Sequence, residues 1–174
     1  MAKNVLLKRW TLLEASKNGE TKIVKFLLEN KNDDFHSETI ERWSEIMWAC
    51  HNGHTDVVKL LLEHSIAHIK LNARNGYGWT PFIRACQNGH KDVVQVLLDH
   101  FDRNIDLNTR NKNGWTAFMF ACSNGHSDVV KLILDHPRMH HLNAINVDGQ
   151  TAFTYVCKFG RKDVVKLILN DSTE

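Results

Sequence analysis

Cys50, Cys86, Cys122 and Cys157 follow one another at spacings of 36, 36 and 35 residues, each inside a copy of one longer phrase. The copies read RWSEIMWACHNGHTDVVKLLLEH at Arg42 to His64, GWTPFIRACQNGHKDVVQVLLDH at Gly78 to His100, GWTAFMFACSNGHSDVVKLILDH at Gly114 to His136, and GQTAFTYVCKFGRKDVVKLILN at Gly149 to Asn170. A truncated fifth copy, LLEASKNGETKIVKFLLEN, spans Leu12 to Asn30. Self-similarity at such a period belongs to a solenoid, in which one unit cannot bury its apolar face alone and stacks on its neighbours.

Within a copy, Thr80 and Pro81 place a hydroxyl cap and a ring with preset φ at a helix start, and the apolar run Phe82, Ile83, Ala85, Cys86 follows. Asn88 and Gly89 end that short helix. Asp92 stands where negative charge favours a second helix start, and Val93, Val94, Val96, Leu97 and Leu98 form a wide apolar stripe. Each unit is therefore a pair of antiparallel helices. The connecting segments LNARNGYGW and LNTRNKNGW are rich in Asn and Gly, which supply turn conformations for a projecting, hairpin-like loop.

On Gly78, Thr80, Pro81, Ala85, Gly89, His90, Val93, Val94, Leu97 and Leu98, with Asn72, Ala73 and Asn75 in the loop, the chain resembles the ankyrin repeat family over nearly its whole length. The resemblance implies an all-α solenoid of stacked helix-turn-helix pairs linked by β-hairpin-like loops, in one domain over residues 1–174. The repeats are expected at roughly 5–38 (an amino-terminal cap), 39–74, 75–110, 111–145 and 146–174 (a carboxy-terminal cap). Two departures stand out. Where the family has a histidine two residues after the proline, this chain has Met47, Ile83, Met119 and Thr154, so apolar packing is expected to replace that hydrogen-bond network. The family unit is about 33 residues, so the longer period places extra residues in the exposed connection after the second helix, as in HFDRNIDLN. Asn30 to Arg42 fits worst and predicts an irregular loop, while Lys158, Arg161, Lys162 and Lys166 read as polar cover for the last repeat.

A chain of 174 residues with 43% apolar content is ordinary globular composition, and a net charge of +2 argues against a strong polyanion bias. Lys3, Lys8 and Arg9 interrupt the amino-terminal stretch, and no apolar run approaches membrane-spanning length. A monomer that resides in the cytoplasm or nucleus and does not enter a membrane is expected. Equivalent cysteines on stacked helices lie about 10 Å apart, beyond the roughly 7 Å a disulfide allows. All four are expected to be reduced core residues filling the place of a small buried alanine.

Six of the eleven histidines occupy repeat positions, His54, His90 and His126 after the family glycine and His64, His100 and His136 at the end of the second helix. The former suit bonds to a neighbouring loop, and the latter suit the helix dipole. The irregular cluster His136, His140 and His141 lacks Cys or carboxylate framing for a metal. Nothing resembles a nucleophile with its base, a phosphate-cradling loop or a paired-carboxylate site, so no enzyme activity and no cofactor are expected. Arg74, Arg110, Lys112 and Lys70 are too few, and too interleaved with Asp106 and Asp148, for nucleic acid.

Trp43, Trp79 and Trp115 recur just before each first helix, with Gln150 in the fourth place. The resemblance puts this row at the base of the projecting loops on the concave side, where the indoles would form a ladder. One reading makes the row a binding surface, since Trp is an interface anchor; the other makes it glue between loops. Positions that differ between otherwise alike copies suit specificity: Tyr77, Lys112, Asn113 and Asp148 at loop tips, Phe159 at a helix end, and Trp48, Arg84, Phe120 and Tyr155 in a column on the first helices. Asn52, Asn88 and Asn124 are alike and read as mere helix ends. The function expected is a non-enzymatic scaffold binding a protein or peptide through loop tips and first helices. The alternative is a substrate-recruiting module or fragment of a larger adaptor or enzyme.

Overall fold

A computed structural model of the chain describes residues 10–30, 43–64, 71–100, 105–137 and 142–171. The loop at residues 31–42 and the histidines His140 and His141, singled out above, lie outside the described residues. Ten helices are described: α1 (Leu12–Asn18), α2 (Thr21–Asn30), α3 (Glu45–Asn52), α4 (Thr55–His64), α5 (Pro81–Gln87), α6 (Lys91–Asp99), α7 (Ala117–Asn124), α8 (Ser127–Leu134), α9 (Ala152–Lys158) and α10 (Lys162–Asp171). They pair in chain order, and α1, α3, α5, α7 and α9 form one layer in which each touches the next. The even-numbered helices form a parallel second layer.

Local chemistry starts these helices. The hydroxyls of Thr80, Thr116 and Thr151 accept from the backbone N–H groups of Ile83, Met119 and Thr154, each at 3.2 Å, and Thr11 closes a full capping box with Glu14. Asp56, Asp92, Asp128 and Asp163 lie in the first turns of the second helices, where the dipole favours them. The apolar stripes then meet in one continuous core. Val57, Val93 and Val129, and Val58, Val94 and Val130, are all but inaccessible in successive repeats.

Met47, Ile83 and Met119 are buried, as the loss of the family histidine requires. Thr154, the fourth residue of that column, is exposed and instead exchanges bonds with Thr151 in a second capping box. Cys50, Cys86 and Cys122 are free, buried thiols, and burial pushes each well above the usual thiol range. Cys157 departs from expectation: it is exposed, because no described element packs on the side of α9 that corresponds to the covered side of α7.

Among the described residues no strand is present, yet the loops bond as hairpins do. Asn75 donates its N–H to the Trp79 carbonyl at 3.0 Å, and its Oδ1 accepts from the N–H groups of Tyr77 and Trp79. Asn111 and Asn146 repeat this pattern. Adjacent tips are joined by Lys112 N–H to the Tyr77 carbonyl and Val147 N–H to the Asn113 carbonyl, both 3.1 Å.

Candidate functional site

At the ends of the first helices, each repeat also grips the one before it at one backbone carbonyl. Asn52 Nδ2 and His54 Nε2 both donate to the Lys17 carbonyl, at 2.7 and 3.0 Å. Asn88 and His90 do the same to His51 at 2.7 and 2.8 Å, and Asn124 and His126 to Gln87 at 2.7 and 3.0 Å. In the last repeat Phe159 and Arg161 replace the pair, and Arg161 Nε alone reaches the Ser123 carbonyl at 3.0 Å. The imidazole needs room: a Cβ on Gly53 would stand 2.6 Å from His90 Nδ1, and Gly53 has φ +74°. The asparagines are thus inter-repeat donors and not mere helix ends. Their period of 36 with a histidine two residues on, and the joint loss of both in the last copy, is the signal that links them.

The tryptophan row and the helix column are one structure. Instead of standing indole on indole, the side chains alternate, because Arg84 and Phe120 each insert between successive loop bases. Trp48 stacks on Trp43 with centroids 4.3 Å apart. The Arg84 guanidinium lies 4.5 Å from the Trp43 ring and 3.8 Å from that of Trp79. Phe120 is 4.6 Å from both Trp79 and Trp115, Tyr155 is 4.4 Å from Trp115, and Phe159 continues the line 6.1 Å from Tyr155. Cations close both ends, with Lys17 Nζ 4.3 Å from the Trp48 ring centroid and Lys158 Nζ 5.8 Å from that of Phe159. Arg84 fits this sequence of rings because its guanidinium is planar and stacks on aromatic faces as a ring does.

The seam differs in accessibility along its length. Trp43 and Tyr155 are buried, Trp48, Trp79, Arg84, Trp115 and Phe120 are half-buried, and Phe159 is 49% exposed. Tyr77, Lys112, Asn113 and Asp148 stand exposed on the loop tips. Beside them Val147 is 68% and Ile145 53% exposed, and Tyr77 itself 54%. Ile145 and Lys17 were not among the site residues the sequence suggested. Neither type is distinctive in a list of residues, and only the placement of Ile145 beside the tips and of Lys17 over Trp48 shows them.

Polar groups along the seam are matched unevenly. Asn146 Nδ2 donates to the Tyr155 hydroxyl at 2.9 Å. The corresponding Asn75 Nδ2 is buried without a hydrogen-bond partner, because nine residues on the chain carries Arg84, which has donors and no acceptor. His51 packs its ring edge-on to Trp43 and Trp48, and its Nδ1 accepts from Asn88 at 2.8 Å. Burial, followed by the nearby positive charges of Arg84 and His90, holds its imidazole below the usual value of 6.5. Among the described residues no group of three or more His, Cys, Asp or Glu side chains is placed to hold a metal ion, and no helix is long and apolar enough to cross a membrane.

Fold, clamps and loops together define a helix-pair solenoid with hydrogen-bonded projecting tips. The family model described as "Ankyrin repeats (3 copies)" matches residues 12–111 and again residues 101–174, and the chain belongs to the ankyrin repeat family. No curated protein matches the chain. Ankyrin repeats are in general protein-protein interaction modules.

Proposed function

We propose that this chain is a non-enzymatic scaffold that binds a partner protein or peptide along the face shared by its loop tips and first helices. The observation that carries the reading is the set of apolar side chains, Tyr77, Ile145 and Val147, left exposed on hydrogen-bonded loops beside a half-buried aromatic seam. The repeats do not need Tyr77 or Val147 for stacking, since Tyr77 corresponds to Asn113 and Asp148, and Val147 to Gly76 and Lys112. Rigid aromatic anchors set among variable polar residues are what an interface uses. Trp43, Trp48, Trp79, Arg84, Trp115, Phe120 and Tyr155 would form the floor, with Phe159, Lys112, Asn113 and Asp148 at its borders.

Affinity capture with the wild type beside a Tyr77→Ala, Val147→Ser variant tests this, once both are shown to unfold at similar temperatures. A protein retained by the wild type and lost from the variant supports the surface. Identical captured sets would move binding elsewhere. The second reading, a substrate-recruiting module within a larger adaptor or enzyme, draws on the apolar exposure of Phe153 and Leu169 in the last repeat.

A further inference from the structure

Asn75 Nδ2 is buried and has no hydrogen-bond partner among the described residues. The last repeat shows what it lacks. There Asn146 Nδ2 donates to the Tyr155 hydroxyl at 2.9 Å and to the Asp148 carboxylate at 3.3 Å. The third repeat changes both acceptors, with Arg84 where Tyr155 stands and Tyr77 where Asp148 stands. A buried donor without an acceptor is costly, and folded proteins keep few of them.

The same exchange makes the surroundings positive. The Arg84 guanidinium lies between the Trp43 and Trp79 rings, and its Nη1 donates to Gln87 Oε1 at 2.8 Å, which holds the orientation of its plane. Lys17 and Lys158 add charge further along the seam. Glu14, the acid of the helix column, is turned to the Thr11 N–H and hydroxyl, both at 3.1 Å. A guanidinium of fixed plane suits a planar carboxylate. Burial does not bar the approach, because Asn146 is 4% exposed and a carboxylate from its own loop tip reaches it, while Asn75 is 5% exposed.

We propose that Asn75 and Arg84 form a carboxylate-recognition site, and that its occupant is an aspartate or glutamate side chain, flanked by apolar residues, in an exposed segment of the partner protein. One carboxylate oxygen accepts from Asn75 Nδ2, as an Asp148 oxygen does from Asn146, and the charge faces the guanidinium. The apolar neighbours of that residue lie on Trp79, Phe120 and Tyr77. A phosphate monoester carries up to about two negative charges, and the single guanidinium with its aromatic walls balances one. The inference rests on the scaffold reading above and adds the chemistry that the partner presents.

The test titrates the full chain with the tripeptide acetyl-Leu-Glu-Leu-amide and follows the side-chain amide resonances of Asn75 by NMR. A saturating shift is expected with this probe, and binding at least about tenfold weaker with acetyl-Leu-Gln-Leu-amide. Tyr77→Asp supplies the carboxylate from within, as Asp148 does, so it should move the Asn75 resonances without ligand, weaken the glutamate probe at least about tenfold and leave the urea midpoint equal or higher. Tyr77→Asn, of the same size without the charge, should weaken the probe less. Equal responses to the Glu and Gln probes overturn the proposal, as does equal weakening by Tyr77→Asp and Tyr77→Asn. A stronger response to acetyl-Leu-phosphoserine-Leu-amide overturns it in favour of a phosphorylated partner, and no response to any probe overturns it outright. The titration needs no partner, so its failure beside a protein lost from the Tyr77→Ala, Val147→Ser variant strikes this inference and leaves the scaffold reading standing.

Discussion

His90 Nε2 lies 2.8 Å from the carbonyl oxygen of His51, a residue 39 positions earlier in the chain. Asn88 Nδ2 shares that acceptor at 2.7 Å. A net hydrogen bond contributes about 1 kcal/mol, so His90→Ala and Asn88→Ala are each expected to lower unfolding free energy in urea by about that much. Their effects should not add, because both act on one carbonyl. Gly53→Ala should cost on the order of 2 kcal/mol from its positive φ and the clash with His90, and less in the His90→Ala background, where only the φ strain remains.

Phe118 and Phe153 occupy the same place in successive repeats, one covered and one open. Phe118→Ala is expected to cost about 3–5 kcal/mol through lost transfer energy and a cavity. Phe153→Ala should cost under about 1 kcal/mol. Equal costs measured by denaturant unfolding would mean that α9 is covered in solution.

Trp79 touches Arg84 and Phe120, whereas Tyr77 extends into solvent. Trp79→Ala is therefore expected to lower the unfolding free energy by about 2–4 kcal/mol. Tyr77→Ala should change it by under about 0.5 kcal/mol. A titration with a captured partner should show weakened binding for Tyr77→Ala at unchanged stability.

Arg84→Tyr tests the unpartnered Asn75 amide. A phenol at that position reproduces the Asn146 to Tyr155 bond and keeps a flat ring between Trp43 and Trp79. The variant should be more stable than wild type by on the order of 1 kcal/mol, read as a higher urea midpoint with unchanged slope.

His51 makes stability depend on pH. Its folded-state pKa lies below its unfolded value, so the unfolded chain binds the proton first. The contribution is fully present above the unfolded value of about 6.5 and is lost as pH falls from there toward the folded value. Arg84 and His90 face the same ring and oppose its protonation. Between pH 7.5 and 5.5 the wild type should lose more stability than His51→Gln, and equal slopes would remove His51 from the account.

Much of this molecule is legible in one sequence because a repeat prints its own alignment. The period that sets Cys50 above Cys86 and Cys122 also sets Val57 above Val93 and Val129. Stacking units of one design can bury those positions in only one register, so helix pairs, caps and hairpin-like loops followed from residue type and spacing. The loop-tip and helix-column candidates stand out where the copies differ, and the row Trp43, Trp79 and Trp115 where they agree.

Tertiary structure decided what periodicity averages away. Trp79 and Phe120 are 41 residues apart and belong to two columns that look independent on paper, yet the column residue of one repeat fills the gap between two loop bases. Asn88 looks like a helix end until the His51 carbonyl is placed beside it. Cys157 looks like its three counterparts, and its exposure depends on what packs against α9, a property of its neighbours and not of the residue. Local spacing determines which face of each helix is apolar, whereas contacts between repeats depend on shape and reach across the joint, and those exist only once the repeats are stacked.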